Sequence, residues 1–111
     1  MGTIRELCQC VRAAGLPFAQ VSWDATDSGS PPDLPYALVV PTDSYDIVAD
    51  GTNYVRRTSY DVELYTRGRD FPAESRLEAQ LSAAGFAYER RHVPLGGGVL
   101  ETVYTVITCG V

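Results

Sequence analysis

The strongest constraint on the fold is the stretch 36–70, in which two strand-like runs meet at an Asp-Gly pair. Asp50 and Gly51 tolerate the positive φ angles that a two-residue hairpin turn requires, so the pair predicts the tip of a β-hairpin. Beyond the tip, mainly apolar and mainly polar residues alternate over 59–67. This period of two is typical of a strand with one buried face and one face in water. This run predicts a core strand, whose buried side consists of Tyr60, Val62, Leu64 and Thr66.

The first half of this hairpin begins as a nearly continuous apolar run over 36–40. Pro41 follows it, and because proline has no N–H to donate to a ladder, it favours a sheet edge or a β-bulge. The sequence therefore predicts that segment 42–57 stands off the body of the sheet as a long hairpin.

Two helices are predicted outside the hairpin. Thr3 and Glu6 match a capping box that opens the first helix, and Gly15 supplies its stop. Its apolar stripe has helical spacing and consists of Ile4, Leu7, Cys8, Val11 and Ala14. Asp70 can cap the second helix, with Pro72 in the first turn, where a missing N–H costs nothing. The buried stripe of the second helix consists of Leu77, Leu81 and Ala84.

Three further strands are predicted over 18–23, 86–93 and 99–108. A glycine-rich turn at 95–98 joins the last two, and the Pro- and Ser-rich stretch 24–35 predicts a surface loop. The predicted fold class is α+β, as a single domain over 1–111. A mixed or antiparallel sheet of four to five strands packs against two α-helices in the order α-β-β-β-α-β-β, with a long β-hairpin arm.

The net charge and the composition argue against several classes of protein. The net charge of −5 argues against a general nucleic-acid binder, whose affinity comes mainly from basic patches. No apolar run approaches the roughly 20 residues of a membrane span, and no signal pattern opens the chain, so we expect a cytoplasmic protein with no membrane partner. The cysteines are three in number, so reduced thiols are expected. In the first helix, Cys8 is predicted as apolar filler and Cys10 as half-exposed.

Catalysis, cofactor binding and metal binding find no support in the sequence. His92 is the only histidine, and Arg90 and Arg91 beside it disfavour an imidazolium or a bound cation. The glycine run 96–98 lacks the spacing and the following helix of a phosphate-binding loop. Calcium-loop spacing is also missing from the three carboxylates Asp43, Asp46 and Asp50. We therefore expect a protein that is not an enzyme and needs no cofactor or metal.

Tyrosine and arginine side chains on the hairpin predict a contact with another protein chain. Aromatic residues interleaved with arginine are typical of interface centres. All nine basic residues are arginine, and Arg56 and Arg57 opposite the acidic half of the hairpin would give the contact complementary charge. The predicted intersubunit residues are Tyr45, Asp46, Asp50, Tyr54, Arg56, Arg57, Tyr65 and Arg67.

Two runs of the hairpin, ADGTNY at 49–54 and YDVELYT at 60–66, resemble a family of small tail proteins of long-tailed bacteriophages. In that family a similar ADG-x-x-Y turn and Y-x-V-E-L-Y-T strand precede a short acidic helix, which corresponds to 74–84 here. A strand that begins Tyr-Glu follows, and it corresponds to Tyr88 and Glu89. The resemblance covers most of the chain from Pro35 onward, together with the order of its elements.

The resemblance implies a tail terminator, or tail-completion protein. Such a protein forms a ring, commonly of six subunits, that caps the head-proximal end of the tail tube, stops its growth and provides the surface for joining the head. The implied partners are other copies of the chain, the tail tube protein and a head-tail connector or stopper. Genomic DNA would pass through the lumen without specific binding. The implied location is the virion tail or neck, after assembly in the host cytoplasm.

Other functions stay open at this point. A head-side neck protein, either a stopper or an adaptor, would have similar features, and so would a small bacterial α+β binding or regulatory module.

Acidic residues that face the lumen of a ring would repel passing DNA, and the sequence leaves open which carboxylates do so. The candidates are Asp43, Asp46, Asp61 and Glu63.

Overall fold

Helix α1 spans Ile4–Ala13 in a computed structural model, which describes residues 2–49 and 51–110. The Glu6 N–H donates to the Thr3 hydroxyl over 3.3 Å, and the Thr3 N–H donates to the Glu6 carboxylate over 3.4 Å. These two bonds satisfy donors that the first turn of a helix otherwise leaves unpaired. The predicted capping box is therefore confirmed.

The buried side of α1 differs from the prediction in its cysteine. Leu7, Cys10 and Val11 are buried, whereas Cys8 is only half-buried. Cys10 lies where the two helices meet, and its thiol donates to the Gln80 backbone oxygen over 3.5 Å. The prediction that Cys8 is filler and Cys10 half-exposed is wrong, because a stripe that starts at Leu7 continues at the third and fourth residues after it. All three thiols are free.

Helix α2 spans Phe71–Ala83. The Ala73 N–H donates to the Asp70 carboxylate over 3.0 Å, and Pro72 lies in the first turn. Both features agree with the predicted start of the helix. Its buried side chains are those of Ala73, Glu74, Leu77 and Leu81.

Seven strands are present in the described ranges: β1 Phe18–Gln20, β2 Tyr36–Ser44, β3 Ile47–Ala49, β4 Thr52–Val55, β5 Arg57–Arg67, β6 Glu89–Gly96 and β7 Val99–Cys109. The main sheet has the order β1-β2-β5-β7-β6. β1 is parallel to β2, and every other pair is antiparallel. β3 and β4 form a separate two-stranded sheet. The predicted α+β class, with a mixed sheet and two helices, is confirmed.

Two predicted strands have different bounds in the structure. β1 ends at Gln20, because Val21 has a φ of +69°, which lies outside the extended region. Trp23 then opens a 3₁₀ turn. β6 begins at Glu89 and not at residue 86, because the chain after α2 first buries Phe86 in the core.

Strand β2 passes through Pro41 and continues to Ser44. A register shift between Pro41 and Asp43 marks a β-bulge against β5. β1 pairs with β2 only as far as Val39. Pro41 lies beyond that last pair, so its missing N–H costs no hydrogen bond between β1 and β2. The predicted edge or bulge at Pro41 is confirmed. The predicted departure from the sheet at residue 42 is wrong, because the bulge absorbs the proline and pairing resumes at Asp43.

The projecting hairpin is therefore shorter than predicted, and we call residues 47–55 the arm. β3 and β4 are antiparallel, and Ala49 pairs with Thr52. Gly51 has a φ of +75°, the positive value that an Asp-Gly tip requires. Asp50 lies outside the described residues.

The core lies between the two helices and one face of the main sheet. Val62 pairs with Tyr104 and Leu64 pairs with Thr102, and all four side chains are fully buried. Tyr60 packs partly buried against the same cluster. The predicted buried side of β5 is confirmed, since its residues line one face of an unbroken ladder with β7.

Leu81 and Leu95 allow a matched test of this core. Leu81 has no exposed surface, whereas half of the Leu95 side chain is exposed. Leu81→Ala should lower the free energy of unfolding by about 2–5 kcal/mol, because it removes buried methyl groups and leaves a cavity. Leu95→Ala should cost less than about 1 kcal/mol. Urea unfolding of both variants measures the difference, and equal losses would contradict the assigned core.

Candidate functional site

The face of the main sheet that points away from the helices is the first candidate surface, and we call it the open sheet face. Arg57 and Arg67 lie at the two ends of this face, because they alternate in phase with Glu63 along β5. Its central part consists of Tyr36, Leu38 and Val40 of β2, Asp61, Glu63 and Tyr65 of β5, Glu101, Val103 and Thr105 of β7, and Glu89 and Arg91 of β6. Four of these side chains are carboxylates and one is an arginine. The centre of the face therefore carries a concentrated negative charge on a rigid strand framework.

Tyr65 links two of the carboxylates. Its hydroxyl lies 2.8 Å from Glu63 Oε1 and 3.1 Å from Glu101 Oε2, so one hydroxyl hydrogen serves two acceptors. Burial raises the pKa of Glu63; the Tyr65 hydrogen bond opposes this shift, and the charges of Glu101 and Asp61 add to it. Burial and the bond to Glu63 also raise the pKa of Tyr65. The ionised cluster therefore repels itself, and a nearby positive charge would stabilise it.

Asp61 is the best satisfied carboxylate of the open sheet face. The Thr105 hydroxyl donates to Asp61 Oδ1 over 2.7 Å, and Arg91 Nη2 lies 3.4 Å from Oδ2. Arg91 is largely exposed, so this ion pair contributes little to stability. The pair neutralises the charge of Asp61 locally. The negative charge at the centre of the face therefore comes from the other three carboxylates.

Aromatic rings hold one end of the open sheet face in place. Tyr36 stacks on Tyr65 with ring centroids 5.1 Å apart, and Trp23 contacts Tyr36 in a T-shaped arrangement with centroids 5.7 Å apart. Such ring pairs add stability beyond their buried area. The predicted wet side of β5 is half-buried for this reason, since its side chains cover one another.

Six of the eight predicted intersubunit residues can be placed, and they lie at two separate ends of β5. The base of the arm holds Tyr45, Asp46, Arg56 and Arg57. The opposite end of the strand holds Tyr65 and Arg67, about 25–33 Å away at about 3.3 Å per residue. Asp50 and the side chain of Tyr54 lie outside the described residues. The structure does not bring the six placed residues into one patch, and the role of all eight in a subunit contact stays a prediction.

The arm and its base expose apolar side chains. Tyr45, Ile47 and Val48 are each about half or more exposed. The Tyr45 N–H donates to the Arg57 backbone oxygen over 2.6 Å, which anchors the base to β5. Arg57 Nε is buried with no hydrogen-bond partner in the described part of the chain. The base is thus ordered, while the arm beyond it offers apolar surface to solvent.

A groove of about 530 Å³ lies beside the base of the arm. Its walls include Tyr45, Phe86, Ala87 and Ile107. The hydroxyls of Tyr45, Tyr88 and Thr105 in its lining bond to carboxylates outside the lining, and Glu89 contributes the one carboxylate of the lining. The groove extends the apolar surface of the arm base and suits a protein side chain.

A second polar cluster lies between α2 and the sheet. Arg69 Nε is 2.7 Å from the buried Glu74 carboxylate, and Arg90 Nη1 is 2.7 Å from Glu78. The buried Tyr104 hydroxyl donates to Glu78 over 2.7 Å. Burial favours the neutral form of Glu78, but these bonds outweigh it and lower the pKa of its carboxyl. Each carboxylate has its partner, so the cluster clamps α2 onto β6 and β7.

The candidate catalytic and metal sites gain no support. His92 is exposed on β6, and its Nδ1 lies 3.1 Å from the Thr102 hydroxyl. Within 2–49 and 51–110, no group of three or more His, Cys, Asp or Glu side chains is placed to hold a metal ion. His92 thus has the geometry of a polar residue on a strand.

Sequence analysis did not identify Glu101 and Glu89 as parts of a surface. Glu101 belongs to the run 99–108 that was predicted as a strand, and it alternates in phase with Val103 and Thr105. Its position beside Glu63 depends on the pairing register of β5 and β7, which joins residues far apart in the chain. Alternation alone indicates the face, but the carboxylate cluster requires that register.

Comparison with known protein families and with curated proteins finds no match for this chain. Of the helices in the described ranges, none is long and apolar enough to cross a membrane.

The raised pKa of Glu63 predicts how stability depends on pH. Ionised Glu63 destabilises the folded protein, and this cost is absent below the carboxyl's ordinary pKa and grows as pH rises through the raised value. Glu63→Gln should therefore have a higher Tm than the unmodified protein at pH 7. The difference should shrink when both are melted near pH 3.5.

Glu89→Gln is the matched control, because Glu89 is an exposed carboxylate on the same face. Its Tm should change less than that of Glu63→Gln at pH 7. A Glu63→Gln protein that is less stable than the unmodified chain at pH 7 would contradict the proposed repulsion.

Proposed function

We propose that this protein is a virion structural protein of a long-tailed bacteriophage and not an enzyme. Copies of the chain assemble into a ring, of six subunits as is common in the family it resembles. The ring caps the head-proximal end of the tail tube, ends tail elongation and provides the surface to which the head joins.

The arm is the observation that carries this proposal. It is a two-stranded sheet separate from the main sheet, and such a hairpin alone is only marginally stable in water. Its Ile47 and Val48 side chains are exposed, so they would gain free energy from burial against another chain. In a ring, every subunit has a neighbour on each side, and a projecting arm can lie on one of them.

Charge supports the passage of DNA without binding. The net charge is −5, and Asp43 and Asp46 are exposed near the base of the arm. A negative wall repels the phosphate backbone, and no counterion release rewards contact. These properties suit a lumen through which genomic DNA passes.

Capping of isolated tail tubes tests the function directly. Tubes assembled from the tail tube protein encoded near this gene should stop growing when the purified protein is added, and negative-stain images should show a ring at one end. Rings that attach instead to tailless heads would assign the protein to the head side of the neck. A neighbouring toxin or enzyme gene, with no tail genes nearby, would favour a bacterial regulatory module.

Val48→Asp tests the arm. Val48 is 60% exposed in the single chain, so its substitution should leave the Tm nearly unchanged. A buried charge in the subunit contact should raise the concentration needed for half-assembly about tenfold or more, since a buried valine contributes about 1.5–3 kcal/mol.

Val21→Asp is the control for exposure, because Val21 is also 60% exposed and lies at the end of β1. Sedimentation velocity should show rings for Val21→Asp at concentrations where Val48→Asp is dissociated. Unchanged assembly of Val48→Asp would remove the arm from the contact.

A further inference from the structure

The outward side of α1 carries positive charge without a matching carboxylate. Arg5, Gln9 and Arg12 follow one another at helical spacing and line a groove of about 550 Å³, together with Gln20 and Tyr60. Both arginines are exposed. Among the described residues, the ion pairs involve other arginines, and the Arg12 guanidinium lies over the Phe18 ring at 5.7 Å. We call this surface the α1 groove.

The open sheet face lies on the opposite layer and has the opposite charge. Its pairing register places Glu63 diagonally across from Glu101, with Tyr65 between their carboxylates. Arg91 compensates Asp61 alone. Leu38 pairs with Glu63 and Val40 pairs with Asp61, so these two half-buried apolar side chains flank the carboxylates of β5 on the β2 side.

We propose that the α1 groove of one copy docks on the open sheet face of the next copy. Arg5 and Arg12 meet the carboxylates of Glu63 and Glu101, and the outer surface of α1 also covers Leu38 and Val40. This contact rests on the proposed ring and names the two surfaces that form it. The arm adds to the same neighbour contact from the end of the sheet.

Charge complementarity within a single chain identifies a second copy as the partner. A surface complementary to another surface on the opposite layer of the same molecule makes a heterologous contact, which repeats from copy to copy and forms a ring when the rotation between neighbours closes. Opposite charges set the order and register of such a contact. Two copies facing each other through the same surface would instead bring like charges together.

The size of the open sheet face fits a specific contact. β5 and β7 have eleven residues each, and so extend about 33 Å, while the sheet is roughly 20 Å wide at about 4.8 Å per strand. The face is therefore comparable to the roughly 800 Å² that each partner buries in a standard interface.

Charge reversal on each layer tests the contact. The helix variant carries Arg5→Glu and Arg12→Glu, and the sheet variant carries Glu63→Arg and Glu101→Arg. Each alone places like charges together in the contact, so half-assembly should need about tenfold or more higher protein concentration. An equimolar mixture should recover rings, because each variant then finds a complementary neighbour. A single chain with all four substitutions should also recover them.

Controls separate this contact from folding and from general charge. Asp27→Arg with Asp33→Arg reverses the same number of carboxylates in the surface loop 24–35 and should assemble like the unmodified chain. Circular dichroism verifies the fold of each variant. If the sheet variant does not fold, Glu63→Gln with Glu101→Gln replaces it and should weaken assembly less strongly. Salt should also weaken unmodified rings, since the Debye length falls from about 8 Å at 0.15 M to about 3 Å at 1 M.

Mass photometry distinguishes failure of this contact from failure of the ring. Folded single-layer variants that form rings at the same concentration as the unmodified chain would overturn the α1 groove contact and leave the ring proposal in place. A mixture of folded variants that does not recover assembly would also overturn it. An unmodified chain that stays monomeric at high concentration would overturn both proposals.

Discussion

The unbroken pairing of β5 with β7 is the constraint on which the rest of this structure depends. Eleven residue pairs run from Arg57 opposite Cys109 to Arg67 opposite Val99, without a register shift. Because side chains alternate across a strand, a slip of one residue would exchange the two faces of the sheet. The ladder thus places Val62 and Tyr104 in the core, and it brings Glu63 beside Glu101 on the other side.

Both surfaces of the proposed assembly follow from that ladder. The core face holds α1 and α2, with the Tyr104 hydroxyl bonded to Glu78 as part of the clamp on α2. This packing turns the outer side of α1, and its arginines, to solvent. The open sheet face keeps the carboxylates on the opposite layer. The arm lies directly before the N-terminal end of β5. Its exposed apolar side chains are therefore separate from the carboxylates at the centre of the open sheet face.

Local chemistry predicted most of the fold. The capping box at Thr3, the cap at Asp70, the positive φ of Gly51 and the alternation along β5 each depend on neighbours in sequence, and each agrees with the structure. The extent of β2 was not predictable in the same way, because its pairing beyond Pro41 depends on a distant strand. The predicted burial of Cys8 and Cys10 was reversed, because helical spacing alone does not identify the centre of the buried stripe. The place of Glu101 beside Glu63 could not be predicted, because it depends on the register of a long-range ladder. The exposure of Arg5 and Arg12 opposite the open sheet face depends on the position of α1 on the sheet.

The central claim is that this α+β domain functions as a closed ring. The most direct measurement is the particle mass of the purified protein in solution, with negative-stain images of the same sample. The proposed function predicts one dominant species with the mass of about six copies of the 12.1 kDa chain and a central hole. A sample that remains at the mass of one chain at high concentration, with no annular particles, would contradict it.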